Sequence, residues 1–111
     1  MSVSVKVLIP SKVAENVATT QYTATGVNAI IDKFTATNYD TVARTLTVHL
    51  VTVGGAAADA TLAVKAKTLQ AGETYTFPEI VGHILAPGGF ISTTASAASA
   101  VTIRASGREV T

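Results

Sequence analysis

Apolar and polar residues alternate with a period of two along most of the chain, and this pattern predicts β-strands rather than helices. The clearest example is "RTLTVHLVTV", in which Leu46, Val48 and Leu50 fall on one face, opposite threonines and a histidine. The stretch "AVTIRAS" repeats the pattern with Val101 and Ile103. Both segments are predicted to be half-buried strands.

The amino terminus, "MSVSVKVLIPSK", shows the same alternation. On an unbroken strand, one face carries Val3, Val5, Val7 and Ile9, and the other carries Ser4 and Lys6. The segment lacks the basic head and the continuous apolar stretch of a secretory signal. We therefore interpret it as the first strand.

Five further strands are predicted from "QYTAT", "NAIIDKFTAT", "LAVKAKTL", "ETYTF" and "GFISTTAS". Turns are predicted at "NYDT", "GGAAAD", "QAGE", "APGG" and "SAAS", because Gly, Asn, Asp and Pro favour tight reversals of the backbone. About eight short strands with regular turns indicate an all-β chain that forms one antiparallel β-sandwich over residues 1–111. The sandwich is expected to be of the jelly-roll or Greek-key type. The sequence does not distinguish between these two types, because alternation defines the faces of strands and not their order.

Two segments have alternative interpretations. Residues 56–70 could form an alanine-rich helix that ends at Gly72, or a strand from Leu62 to Thr68. The strand is preferred because Leu62, Val64 and Ala66 alternate with more polar positions. The small-residue stretch "STTASAASA" is interpreted as a hairpin between the last two strands.

The composition indicates an unusually bland surface. Hydrophobic residues make up 48% of the chain and charged residues only 14%, compared with about 25% charged residues in an ordinary soluble domain. Such a surface favours a protein that is covered by neighbours in an assembly, the alternative being an ordinary small β-domain with a neutral exterior. The chain has no cysteine, so neither a disulfide framework nor a cysteine-based zinc site is expected.

Nucleic acid and membrane are not expected partners. The formal net charge is +1, and the basic residues are scattered rather than clustered as nucleic-acid binding requires. No apolar run approaches the roughly 20 residues of a membrane-spanning helix. Arg44, Arg104 and Arg108 are candidates for ion pairs with neighbouring subunits, the alternative being a solvated strand face.

The stretch "PEIVGHILAPGG" is the one candidate for acid–base or metal chemistry. A single helical turn from Pro78 to Gly82 would bring Glu79 close to His83. A catalytic metal centre needs three protein ligands, however, and the other histidine, His49, lies among threonines. We therefore interpret the stretch as a connector whose apolar side chains plug one end of the sandwich. These apolar side chains are Ile80, Val81, Ile84 and Leu85.

Other catalytic patterns are missing from the sequence. There is no G-x-S-x-G elbow and no glycine-rich loop that precedes a helix. The stretch "ASGRE" is interpreted as a bulge or bend at Ser106. Carbohydrate binding usually relies on aromatic platforms, whereas this chain has no tryptophan, three tyrosines and three phenylalanines. Tyr39 is the aromatic residue expected at the surface, the alternative being that it folds back to cap the sheet. We predict that the chain is not an enzyme and needs no cofactor.

Three parts of the chain together resemble a known class of protein: the alternating amino terminus, "TATNYDTVARTLTVHLV" and "LQAGETYTFPEIVGHILAPGGFISTTASAASAVTIRASGRE". Over roughly residues 28–110 the sequence resembles small β-sandwich or jelly-roll structural proteins of tailed bacteriophages and prophages, with head decoration (cement) proteins as the best fit. In similar sequences an aspartate often follows the turn glycine, where Gly89 and Phe90 stand here.

The resemblance implies a structural virion protein that is made in the host cytoplasm and stabilises the head lattice. Its partners would be the major capsid protein, other virion proteins and copies of itself. The predicted contact residues are Val3, Val5, Val7 and Ile9 of the first strand, followed by Phe90. The alternatives are a collar, tail or fibre-base protein and, beyond virions, a surface adhesin or carbohydrate-binding module.

Overall fold

The computed structural model describes residues 2–111, which form two antiparallel β-sheets packed face to face. The strands are β1 (Val3–Val13), β2 (Thr19–Thr23), β3 (Asn28–Asn38), β4 (Arg44–Val51), β5 (Leu62–Leu69), β6 (Thr74–Thr76), β7 (Ile84–Leu85), β8 (Phe90–Ala95) and β9 (Val101–Val110). A short 3-10 turn, Asp59–Thr61, precedes β5. The predicted all-β sandwich is confirmed.

The strand order is that of a jelly roll. One sheet, here sheet A, has the order β1-β9-β3-β6, with β7 also paired to β3, and sheet B has the order β2-β8-β4-β5. The pairs β1 with β9, β2 with β8, β3 with β6 and β7, and β4 with β5 are nested like one long hairpin. Rolling this hairpin up adds the pairs β3 with β9 and β4 with β8, which closes the two sheets over one core.

The core lies between the sheets and comes from the positions that alternation predicts. Leu46 and Val48 of β4 and Val101 and Ile103 of β9 are fully buried. The ring of Phe34 meets the ring of Phe77 edge to face with centroids 5.3 Å apart, a favourable aromatic geometry. Period-two patterning therefore located the inner face of both central strands correctly.

The predicted "NYDT" turn is organised by the fully buried side chain of Asn38. Its amide donates to the carbonyl oxygens of Val42 and Leu69 at 2.9 and 3.0 Å, and its own oxygen accepts the backbone N–H of Asp40 at 2.9 Å. Asparagine favours such turns because its side chain can replace backbone partners. The turn is thereby joined to the end of β5.

Residues 62–69 form a strand, as preferred, but its alternation is interrupted. Ala66 has a φ of +47° and its N–H bonds the Thr47 hydroxyl at 2.9 Å. The register with β4 shifts twice, between Leu46 and Val48 and between Val48 and His49. Ala66 is exposed whereas Val64 is buried, so the alternation predicted for Leu62, Val64 and Ala66 does not continue through the bulges.

The prediction that the apolar residues of β1 share one face is also wrong. The register with β9 shifts between Val7 and Ile9, so the extra residue Leu8 reverses the facing of the strand. Leu8 and Ile9 are both buried, whereas Val3 to Val7 are exposed. The strand therefore has an exposed first half and is anchored in the core at its centre, by Leu8 and Ile9.

A second bulge lies directly across β9 from the first. The register of β3 with β9 shifts between Ile31 and Lys33, opposite the Ser106–Gly107 step. The bulge of β1 faces the adjoining Ala105–Ser106 step on the other side of β9. A Cβ atom on Gly107 would stand 2.0 Å from the Ile30 carbonyl oxygen, so only glycine permits this approach. The bend predicted at "ASGRE" is thus carried by the two neighbouring strands.

The small-residue stretch before β9 is not a hairpin. β8 belongs to sheet B and β9 to sheet A, so residues 96–100 cross from one sheet to the other. The backbone N–H of Ser96 bonds Thr45, and the carbonyl of Ala100 accepts the N–H of Tyr39. Small residues suit this crossing because it runs across the end of the core.

Replacement of Gly107 by alanine is expected to lower the free energy of unfolding by about 3 kcal/mol, the upper end of the usual range for overpacking. The reason is the clash between the new methyl group and the Ile30 carbonyl oxygen. Urea unfolding measures the loss. Ser106→Ala is the matched control in the same strand and should change stability by less than about 0.5 kcal/mol; equal effects of both substitutions would contradict the account of the bulges.

Candidate interface on the amino-terminal strand

The first half of β1 is an open edge of sheet A. Val3, Val5 and Val7 are 52%, 87% and 42% exposed, and Ser4 and Lys6 on the opposite face are exposed as well. Among the strands of residues 2–111, only β9 pairs with it. The segment is therefore held mainly by one ladder of backbone hydrogen bonds.

The valines also direct their backbone groups toward the open side. Ser2 and Thr111 exchange two backbone hydrogen bonds, at 3.3 and 2.9 Å. Because antiparallel ladders alternate between hydrogen-bonded and non-bonded pairs, Ser4 and Lys6 face β9 with their N–H and C=O groups. Val3, Val5 and Val7 consequently present theirs to any strand that approaches the edge.

The valine side chains continue into an apolar surface on the outer face of sheet A. Val5 is opposite Arg108, Arg108 is opposite Ile30, and Ile30 is opposite Ile84. Directly paired residues project to the same face of a sheet, and Ile84 is 64% exposed. The outer patch comprises Val3, Val5, Val7, Val110, Ile30 and Ile84.

An ion pair crosses the outer patch. Arg108 donates through Nε and Nη2 to the two carboxylate oxygens of Asp32, both at 3.0 Å. This bidentate contact raises the pKa of the Arg108 guanidinium. Asp32 is the extra residue of the β3 bulge, so the bulge supplies the carboxylate that neutralises Arg108 between Val5 and Ile30.

The other two arginines differ in their hydrogen-bond partners within the chain. Arg44 donates to Asp40 at 2.8 Å, and hydrogen bonds from the Thr41 backbone and from Arg44 lower the pKa of Asp40. Arg104 bonds only the Ser11 hydroxyl, at 3.3 Å. Arg44 and Arg108 therefore have carboxylate partners within the chain, and Arg104 remains the arginine that suits an external carboxylate.

A polar network fastens the exposed half of β1 to both sheets. The Tyr22 hydroxyl of sheet B donates to Glu109 of sheet A at 2.5 Å, and Lys6 donates to the other Glu109 oxygen at 3.2 Å. The bond from Tyr22, followed by the contact with Lys6, lowers the pKa of Glu109. Burial and the adjacent Glu109 raise the pKa of Tyr22.

The structure separates the predicted contact residues. Val3, Val5 and Val7 lie together on the open edge, whereas Ile9 is 1% exposed and belongs to the core. Phe90 begins β8 in the other sheet, where it is half-buried and pairs with Thr23 and Val51. Phe90 is thus not part of the surface that the valines form.

The "PEIVGH" connector has no acid–base pair. It consists of two consecutive turns, in which Ile80 N–H bonds Phe77 and His83 N–H bonds Ile80. Glu79 accepts from the Tyr75 hydroxyl at 3.2 Å. Ile80 and Leu85 are buried as predicted, but Val81 and Ile84 are 43% and 64% exposed, so only half of the expected plug enters the core.

An open cleft of about 410 Å³ lies between this connector and the β4–β5 end of sheet B. Its lining is Leu50, Val51, Thr52, Ala60, Thr61, Leu62, Ala63, His83, Ile84, Leu85, Ala86 and Gly89. His83 is the only ionisable side chain among them, and none has a phenyl, phenol or indole ring. The lining lacks both a carboxylate for catalysis and a platform for a sugar ring.

Other features of residues 2–111 do not add a site. Within this range no group of three His, Asp or Glu side chains could hold a metal ion. No helix in the same range is long and apolar enough to cross a membrane. Tyr39 is 51% exposed, as expected, and the half-buried His49 has its Nδ1 atom buried without a hydrogen-bond partner there.

Comparisons with protein-family models, curated protein sequences and solved structures found no match to the chain. The functional argument therefore depends on the physical properties of the surface. Sequence patterns identified the valines of β1 but missed Ile30 and Ile84. Their exposure follows from strand pairing, which alternation does not specify.

The Glu109 network predicts a specific loss of stability in acid. Since folding lowers the pKa of Glu109, its stabilisation is present above its unfolded pKa of about 4.3 and disappears as the pH falls through the folded value. The unfolding free energy of the wild type should thus fall more between pH 6 and pH 3 than that of Glu109→Gln. Urea unfolding across this range is the measurement, and parallel pH profiles would contradict the network.

The same network predicts a second loss in base. Folding raises the pKa of Tyr22, so the stabilisation from its neutral hydroxyl is present below the unfolded value of about 10 and decreases as the pH rises above it. Tyr22→Phe should remove this decrease. Unfolding free energies at pH 8 and at pH 11 test the difference, and an unchanged slope in the variant would rule out the role of Tyr22.

Proposed function

We propose that the chain is a structural virion protein of a tailed bacteriophage, best described as a capsid decoration protein that binds and stabilises the head lattice. The observation that carries the proposal is the open β1 edge, whose backbone groups and valine side chains both face outward without a partner. Such an edge is a template for strand pairing with another chain. The partners in this proposal are the major capsid protein, other virion proteins and further copies of the chain.

The fold supports the proposal by analogy. Jelly rolls occur in viral capsid domains, and also in lectins and cupins. Because one fold serves many functions, the surface has to distinguish among them. The outer patch and the low charge content favour permanent protein contacts over a soluble monomer.

The mechanism is strand addition combined with mass action. A neighbouring strand or arm that pairs with β1 gains backbone hydrogen bonds from the edge and apolar contacts from the outer patch. A protein that binds only the assembled lattice stabilises that lattice in proportion to the occupancy of its sites. Repetition over the head surface would multiply a modest individual contact.

Two other functions fit less well. A collar, tail or fibre-base protein would use the same edge at a position with fewer copies per particle. A carbohydrate binder would use the cleft, which is lined by alanine, threonine and aliphatic side chains. Direct glycan binding by the purified chain would favour this last alternative.

Substitution of Val3, Val5 and Val7 together by lysine is expected to reduce binding to heads assembled without the protein by at least about tenfold. Burial of even one lysine against a neighbouring strand would cost more than the 1.4 kcal/mol that corresponds to this factor. Cosedimentation of purified heads with the wild type or the variant measures the copies bound per head.

The matched control replaces Val17, Val42 and Val53 by lysine. These valines are 63%, 50% and 69% exposed and lie away from the β1 edge, so the control adds the same charge without changing that edge. It should bind heads as the wild type does. Equal binding by the two variants would show that β1 is not the contact.

A further inference from the structure

We infer that the β1 edge is built to pair with the β1 edge of a second copy, antiparallel and centred on Val5. This dimer uses the same edge as the proposed function and identifies a partner for it. Only the location of the dimer on a phage head rests on the proposed function. Its experiment uses the purified chain alone. Its failure is thus separable from a failure of the virion proposal.

The backbone fits a two-fold arrangement. An isologous contact places the same residues on both sides of the axis, so Val5 opposes Val5, and Val3 opposes Val7. These three residues are the ones whose N–H and C=O groups point to the open side. Every opposed pair can therefore exchange two hydrogen bonds, and a shift by one residue would lose them all.

The side chains fit the same register. Directly opposed residues share a face, so the valines of both copies would form one continuous cluster on the outer face. In each copy the cluster would join Val110 beside Val3, and Ile30 beyond Arg108. The most exposed of the three valines, Val5 at 87%, would occupy the centre of the seam.

The charges on the other face are complementary as well. In this register Lys6 opposes Ser4 of the second copy, and Ser4 is opposite Glu109 within its own chain. Each Lys6 would thus be separated by one serine from the second copy's Glu109. Lys6 bonds its own Glu109 at 3.2 Å and in the dimer would also lie within reach of the second copy's Glu109, so the two-fold axis would place two symmetric charge pairs across the seam.

The remaining sheet edges are protected, which makes the pairing selective for β1. β2, the other edge of sheet B, spans five residues and is interrupted by a bulge between Thr20 and Tyr22. β5 is interrupted by bulges and carries Lys65 and Lys67, and β6 and β7 span three and two residues. Bulges, lysines and shortness all discourage edge-to-edge association. A two-fold contact through β1 uses that edge in both copies, so the assembly closes as a dimer.

The contact is small, with about five residues on each side, compared with 20–30 in a standard interface. The isolated dimer is therefore expected to be weak and to gain strength where copies are held close together. A covalent trap is the appropriate test. The chain has no cysteine, so one introduced thiol can form a disulfide only between copies.

Val5→Cys is expected to form disulfide-linked dimers at least about tenfold faster than Val53→Cys, whose site is 69% exposed. In the proposed register the two Val5 Cα atoms are about 5.5 Å apart, within the range that a disulfide spans. Val3→Cys alone should not cross-link quickly, because its counterpart is displaced by more than about 13 Å along the strand.

The register is tested by mixing Val3→Cys with Val7→Cys, one of them labelled with ¹⁵N. Mass spectrometry should find mainly mixed dimers, because these two positions oppose each other. Non-reducing electrophoresis follows the rates of all variants. Equal rates for Val5→Cys and Val53→Cys would overturn the dimer, and faster linkage of Val3→Cys alone than of Val5→Cys would overturn the register.

Discussion

The close approach of Gly107 to the Ile30 carbonyl oxygen is the constraint on which sheet A depends. A Cβ atom on Gly107 would also lie 3.0 Å from Leu8, and the bulges of β3 and β1 face the adjoining steps Ser106–Gly107 and Ala105–Ser106 from opposite sides of β9. The bulge of β1 sends Leu8 and Ile9 into the core and leaves the preceding valines outside. The bulge of β3 supplies Asp32, which neutralises Arg108 within the outer patch. The two bulges beside residues 105–107 thus divide β1 into an exposed part and a part that enters the core.

The sequence specified strand faces well and strand partners poorly. Period-two alternation located the buried residues of β4 and β9, and turn-forming residues located the connections, because both signals depend on neighbours in sequence. The bulge at Leu8 depends on residues near positions 32 and 107, which are distant along the chain. For the same reason, the crossing at residues 96–100 resembles a hairpin in sequence although it joins two sheets.

The candidate surface was predictable only in part. The valines of β1 were identified from alternation, which by itself would have buried them beside Ile9. Ile30 and Ile84 were missed because an exposed isoleucine in a strand looks like a core residue until its partners are known. The combination of a free backbone edge with apolar side chains on one face is a property of the pairing with β9. It favours strand addition over the chemistry suggested by Glu79 and His83, since the Glu79 carboxylate accepts a hydrogen bond from Tyr75.

A small jelly roll with one open, apolar edge is well suited to repeated docking on a lattice, and its few charges impose little repulsion between neighbouring copies. The central claim is that the chain occupies the head surface in many copies. Quantitative mass spectrometry of purified phage particles measures its abundance relative to the major capsid protein. We expect the chain to be about as abundant in the particles as the capsid subunit. A few copies per particle would place the chain at a collar or tail instead, and its absence from the particles would contradict a structural role in the virion.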